Sequence, residues 1–196
     1  MLGAMRPSPT ICALHALLLA GALPPAALAD VRDSIDYSYY EVQVFDGPSL
    51  GTQVRAASPI REGGQVSFGN TRWNVRWDLR WNSEASGRCR LTSVIVTLRS
   101  RMLLPQLRGA SARQTAAFER FMAALRLHEN GHYAHGQRAA REIERNLLAL
   151  PPAASCATLE AQANESGRRS IARHADLDIQ YDRETSHGRT QGAYLP

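Results

Sequence analysis

Within LHENGHYAHG, residues 127–136, three histidines and one glutamate occupy ten positions. His128 and His132 are four residues apart, and on a helix that spacing sets both imidazoles on one face, a turn apart, where they can grip one zinc ion. Glu129 follows His128 and stands beside the site, completing the H-E-x-x-H arrangement in which a carboxylate accepts a proton from zinc-activated water. Zinc lowers the pKa of that water toward about 7 and polarises a scissile carbonyl, while the glutamate shuttles the proton to the leaving amine. With six His and ten Glu in 196 residues, chance would produce the pattern in roughly one such chain in a hundred.

Two histidines do not complete a catalytic zinc site, which takes three protein ligands and an open position. His135, seven residues after His128, lies ~10 Å further along the helix axis and cannot reach the same ion; it is a flanking group. The metzincin pattern is excluded, because the places of its glycine and third histidine hold His135 and Arg138. The remaining candidates lie downstream: Glu160 and Glu165 on the next predicted helix, and His187 in the C-terminal segment with Tyr181 and Asp182.

The element carrying the motif is a helix expected from Ser111, its N-cap, to Leu150, stopped by Pro151-Pro152. Phe118, Phe121, Leu125, His128, His132, His135, Ala139, Ile143 and Leu147 recur at spacings of three and four as one stripe. Burying imidazoles on that stripe without partners would cost a few kcal/mol, and metal ligation removes the cost. Gly131 and Gly136 weaken the helix by about 1 kcal/mol each relative to alanine, which points to a bend or a close approach there. A second helix is expected from about Ser155 to Asp178, with His174 as a structural residue. The segment 179–196 has no clear period and reads as a loop.

Upstream the period is two. Ile35–Phe45 is a predicted strand ended by Asp46-Gly47-Pro48. In TRWNVRWDLRW, Trp73, Val75, Trp77, Leu79 and Trp81 alternate with polar residues, so one face is buried and the tryptophans are core rather than a stacking platform. After the turn residues NSEASGR, residues 89–105 read as its hairpin partner, ended by Pro105. Residues 48–66 hold at most a short helical turn. The expected fold is α+β: a small antiparallel sheet of about three strands, packed with the long motif-bearing helix and a second C-terminal helix. Residues 30–105 are mainly β and 111–178 mainly α, in one domain.

The first 29 residues read as a signal peptide: Arg6, an apolar run from Ile11 to Leu23, then Ala27-Leu28-Ala29, with cleavage after Ala29. No later run is long enough for a membrane span. Cys89 and Cys156 remain after cleavage, and an even count in an exported chain predicts a disulfide, stabilising by roughly 4 kcal/mol in the chain-entropy model. Every basic residue is arginine. After cleavage, 22 arginines face 18 acids for a net charge of +4, scattered rather than gathered in one run. No nucleic-acid motif is present.

The leader, the Trp-alternating strand, a cysteine in the strand that follows, HENGH on a long helix, a second cysteine after it, and the closing YDRETSHG with QGAYLP resemble the DUF922 family. Its members are described as predicted secreted zinc-dependent proteases. The resemblance runs over nearly the whole chain after the leader. It implies that residues 179–196 belong to the active site, with His187 as third zinc ligand, Asp182 as a carboxylate orienting a ligand imidazole, and Tyr181 as a donor to the developing oxyanion.

The expected function is an exported zinc metallopeptidase, periplasmic or extracellular, that hydrolyses a peptide or protein substrate, cell-wall peptides included, with Glu129 as general base. The alternative is a non-catalytic envelope binding or assembly protein whose zinc site is structural or vestigial.

Overall fold

The computed structural model describes residues 27–62 and 64–196. All but the last three residues of the expected leader fall outside that range. Strand β1 (Leu28–Gln43) is followed by α1 (Leu50–Ala57), a two-residue hairpin β2 (Arg61–Glu62) and β3 (Gln65–Val66), and the long strands β4 (Asn70–Ser83) and β5 (Cys89–Arg108). Helices α2 (Ala112–Leu148) and α3 (Cys156–Thr185) follow, then a single 3₁₀ turn, Arg189–Gln191. The architecture is α+β, as expected. Strand order is β1-β5-β4.

The hairpin of β4 and β5 is antiparallel, but β1 runs parallel to β5, so the sheet is mixed rather than antiparallel throughout. Central β5 alternates cleanly: Val94, Val96, Leu98, Met102 and Leu104 are buried on the face that α2 covers. Pro105 does not end the strand. Pairing with β4 stops at Asn70↔Leu103, so Pro105 sits where β5 has only β1 beside it, and its missing N–H breaks no central ladder. Alternation along β4 likewise holds, with Val75 buried and Trp73 and Trp77 packed against the core, until a bulge between Arg80 and Trp81 leaves Trp81 exposed.

The same period of two collects arginines that look scattered in the sequence. Arg72, Arg76, Arg99 and Arg101 are exposed on the sheet face away from the helices, with Arg72 directly opposite Arg101. Ser111 caps α2 through a capping box with Gln114, and Pro151-Pro152 lies just past its end. Cys89 and Cys156 form the expected disulfide, and paired backbone bonds between Cys89 and Ala153 hold the α2–α3 connection against the start of β5. Among the described residues no helix is long and apolar enough to cross a membrane.

Two apolar clusters divide the length of α2. Phe118, Phe121, Met122 and Leu125 join α1 and the end of β5, whereas Ala139, Ala140, Ile143 and Leu147 join α3 and the start of β5. The histidines fall between these clusters. The polar residues thus occupy a seam that neither core fills, with β4 on one side and the last turns of α3 on the other.

Candidate metal centre

His128 and His132 are buried on α2 as their place in the apolar stripe requires. Nε2 of His128 lies 3.2 Å from Nε2 of His132. Oδ1 of Asp182 lies 3.2 Å from the first and 3.1 Å from the second. Asp182 comes from α3, which continues seven residues past the expected end at Asp178, so that Asp178, Tyr181 and Asp182 are helical rather than part of a loop.

The far nitrogens fix what these three atoms can be. Nδ1 of His132 meets Oδ1 of Asp178 at 2.8 Å and must carry hydrogen. Trp73 Nε1 donates to the other Asp178 oxygen at 3.2 Å, so one carboxylate ties β4, α3 and α2 together. Nδ1 of His128 meets Gln191 Oε1 at 3.1 Å, while Gln191 Nε2 donates to the Tyr181 hydroxyl at 3.0 Å, which orients the amide and leaves His128 Nδ1 as donor. Both Nε2 lone pairs and a carboxylate oxygen therefore converge on one point. One proton cannot satisfy all three contacts. A metal ion could, because ligand atoms ~2.0–2.1 Å from a tetrahedral centre would stand ~3.3 Å apart, close to the separations present here. His128, His132 and Asp182 could thus hold a metal ion.

Electrostatics agree. Burial opposes a charge on His132, but the hydrogen bonds its ring donates to the carboxylates of Asp178 and Asp182 outweigh it and push the pKa up to about 10. For Asp182, burial acts upward and is overcome by the two imidazoles, which hold the carboxyl well below its usual range. The pocket favours positive charge at its centre.

Glu129 is 2 % exposed and accepts a hydrogen bond from Thr71 Oγ1 on Oε2 at 2.7 Å. It is packed against Gly69, where a side chain would overlap its carboxylate. The ring of Tyr181 stacks on His128 at 5.1 Å and lies against Gly131, so the helix glycine marks a close approach: a Cβ there would enter the phenol ring. A cavity of about 570 Å³ opens onto the ligand atoms, lined among others by Glu129, Phe68, Leu125, His187 and Tyr194.

A family profile described as a bacterial protein of unknown function, DUF922, matches residues 37–188. The chain belongs to the DUF922 family. No curated protein and no solved structure matches it. The matched span of this DUF922 chain takes in β4, the motif, Asp178, Asp182 and His187.

Of the residues expected at the site, the structure brings His128, Glu129, His132 and Asp182 together around the cavity. His187 stands at its edge with 56 % of its side chain exposed, Nδ1 3.4 Å from Asp182 Oδ1, and is not one of the three converging donors. Tyr181 lies behind His128, its hydroxyl donating to the His128 carbonyl at 3.2 Å. Glu160 and Glu165 are exposed near the other end of α3, and Glu165, ~25 Å from Asp182 at helical rise, pairs with Arg168 and Arg169. His135 is buried, its pKa lowered by burial and by Arg138. His174 meets Glu142 at 3.2 Å in the α2–α3 contact. Asp178, Gln191 and Thr71 join the site from outside the expected set. The one available sign was that Asp178 and Asp182 repeat the i,i+4 spacing of the two histidines.

Proposed function

We propose that this DUF922 protein is an exported zinc metallopeptidase that hydrolyses peptide or amide bonds, with His128, His132 and Asp182 as zinc ligands and Glu129 as general base. One observation carries the reading: three lone-pair donors converge 3.1–3.2 Å apart among the residues that line a cavity, with a buried glutamate in the same lining. Structural zinc sites close around the ion, whereas catalytic ones keep a position for water and substrate. Zinc supplies Lewis acidity when bound, polarising a carbonyl and lowering the pKa of water.

The chain's own groups do the rest. Asp178 keeps the His132 hydrogen on Nδ1, and Gln191 does the same for His128, so both Nε2 atoms stay available as ligands. Tyr181 stacks on His128 and bonds its backbone, a positioning role in place of oxyanion stabilisation. Thr71 holds one oxygen of Glu129, which fixes the plane of the carboxylate that takes up and returns the proton. Phe68 and Leu125 give the cavity an apolar wall that limits water around the reacting bond. The disulfide supports an oxidising compartment and hence export.

The test is Glu129→Gln in the full chain. Zinc content should stay at one equivalent while hydrolysis of a broad peptide pool falls by roughly 10²–10⁴-fold, the usual contribution of a general base. Undiminished hydrolysis would remove Glu129 from the role.

A further inference from the structure

Two arginines line the same cavity as the ligand trio, and each is laid on an aromatic ring: Arg55 of α1 lies 5.2 Å over Phe68, and Arg189 of the 3₁₀ turn lies 4.7 Å over Tyr194. Phe68 and Tyr194 are cavity residues too. A guanidinium packed over a ring is already partly ordered and loses little freedom when its N–H groups take a bidentate acceptor. No ion pair among the described residues uses either one, although three carboxylates stand in the cavity. Those carboxylates are engaged elsewhere: Asp178 with His132 and Trp73, Asp182 with both histidines, and Glu129 with Thr71.

Charge bookkeeping points the same way. With a divalent ion bound, Glu129, Asp178 and Asp182 leave one net negative charge, and two guanidiniums more than offset it. The arginines are surplus to the site's internal balance.

We propose that Arg55 and Arg189 receive a carboxylate of the substrate, making the favoured substrate class a peptide with an acidic group near the scissile bond. This rests on the metallopeptidase reading for the word substrate, but the carboxylate site itself does not require turnover. An acidic side chain and a free C-terminus offer the same chemistry, and the experiment separates them.

Full-length chain carrying Glu129→Gln and loaded with zinc is titrated with fluorescent decapeptide pools in four versions: glutamate or glutamine at otherwise random positions, each ending in a free acid or an amide. One acidic version should bind about tenfold or more tightly than its neutral counterpart, as expected for a charged hydrogen-bond pair. Glutamate selectivity with either terminus assigns a side-chain carboxylate; selectivity for the free acid alone assigns a C-terminal one. Arg55→Gln and Arg189→Gln should each reduce that preference severalfold with unchanged zinc content and thermal unfolding, and Arg189→Lys should recover only part of it. Equal binding of all versions, absence of binding, or a preference untouched by both glutamine variants would overturn the proposal. The wild-type chain assayed for cleavage of the same pools keeps the two readings apart: acid-selective binding without cleavage defeats the peptidase and leaves the carboxylate site, while cleavage indifferent to charge does the reverse.

Discussion

Replacing Asp182 with alanine separates the two candidates for the third ligand. Oδ1 of Asp182 stands 3.2 and 3.1 Å from the two Nε2 atoms, whereas His187 reaches the centre only by way of Asp182, 3.4 Å from that same oxygen. Zinc binding worth about 10–16 kcal/mol over four ligands corresponds to about 3 kcal/mol per ligand, or 10²–10³-fold in Kd. Asp182→Ala should therefore weaken zinc binding by about 10²–10³-fold. Asp178→Asn, which acts through the His132 Nδ1 hydrogen, should cost about 10–100-fold. His187→Ala should cost tenfold at most, the low end for groups outside the ligand set. Competition against a chromophoric chelator reads all three, at one fixed pH because the carboxylates around His132 favour a proton there and zinc must displace it. Thermal unfolding in excess chelator checks that each variant is folded before metal is added. A His187→Ala protein that loses its zinc beside an Asp182→Ala protein that keeps it would refute the assignment and restore the histidine as ligand.

Gly131→Ala reverses the ordinary sign of a helix substitution. Alanine should gain about 1 kcal/mol by propensity, but its methyl would enter the Tyr181 ring, so a net loss of about 1–3 kcal/mol from overpacking is expected by urea denaturation, together with weaker zinc binding. Glu142 accepts from Ser170 at 2.7 Å and meets His174 and Arg173; burial raises its pKa, but these partners outweigh it and hold the carboxyl below its ordinary value. A depressed carboxyl stabilises the fold above its unfolded pKa of about 4.3 and loses that contribution as pH falls through the folded value. Glu142→Gln should accordingly cost about 1–2 kcal/mol at pH 7 and progressively less below about pH 4, measured by denaturant midpoints across pH. Arg72→Glu should stabilise the sheet by about 0.2–1 kcal/mol, since it replaces two like charges directly opposite each other with an ion pair, and the gain should shrink in high salt.

The motif was legible because its signal is local. His128 and His132 fall on a stripe whose other members are apolar, and one helical period accounts for all of them. On α3 the apolar period ends before the helix does, and the cause is physical. Beyond Asp178 the positions that face inward are Tyr181, Asp182 and Thr185, polar groups turned toward two imidazoles rather than toward a core. A hydrophobic period fades wherever a helix turns from packing to ligation, so the last turns resemble a loop although Asp178 and Asp182 keep the spacing of the histidines they serve. The parallel pairing of β1 with β5 escaped for a different reason: alternation tells which face of a strand is buried, and nothing in it names the neighbour. In both places the missing information is a partner distant in sequence. It follows that a run of acids spaced by four after a weakening apolar period, downstream of a helix-borne histidine pair, is better read as the continuation of a helix into a metal centre than as its end.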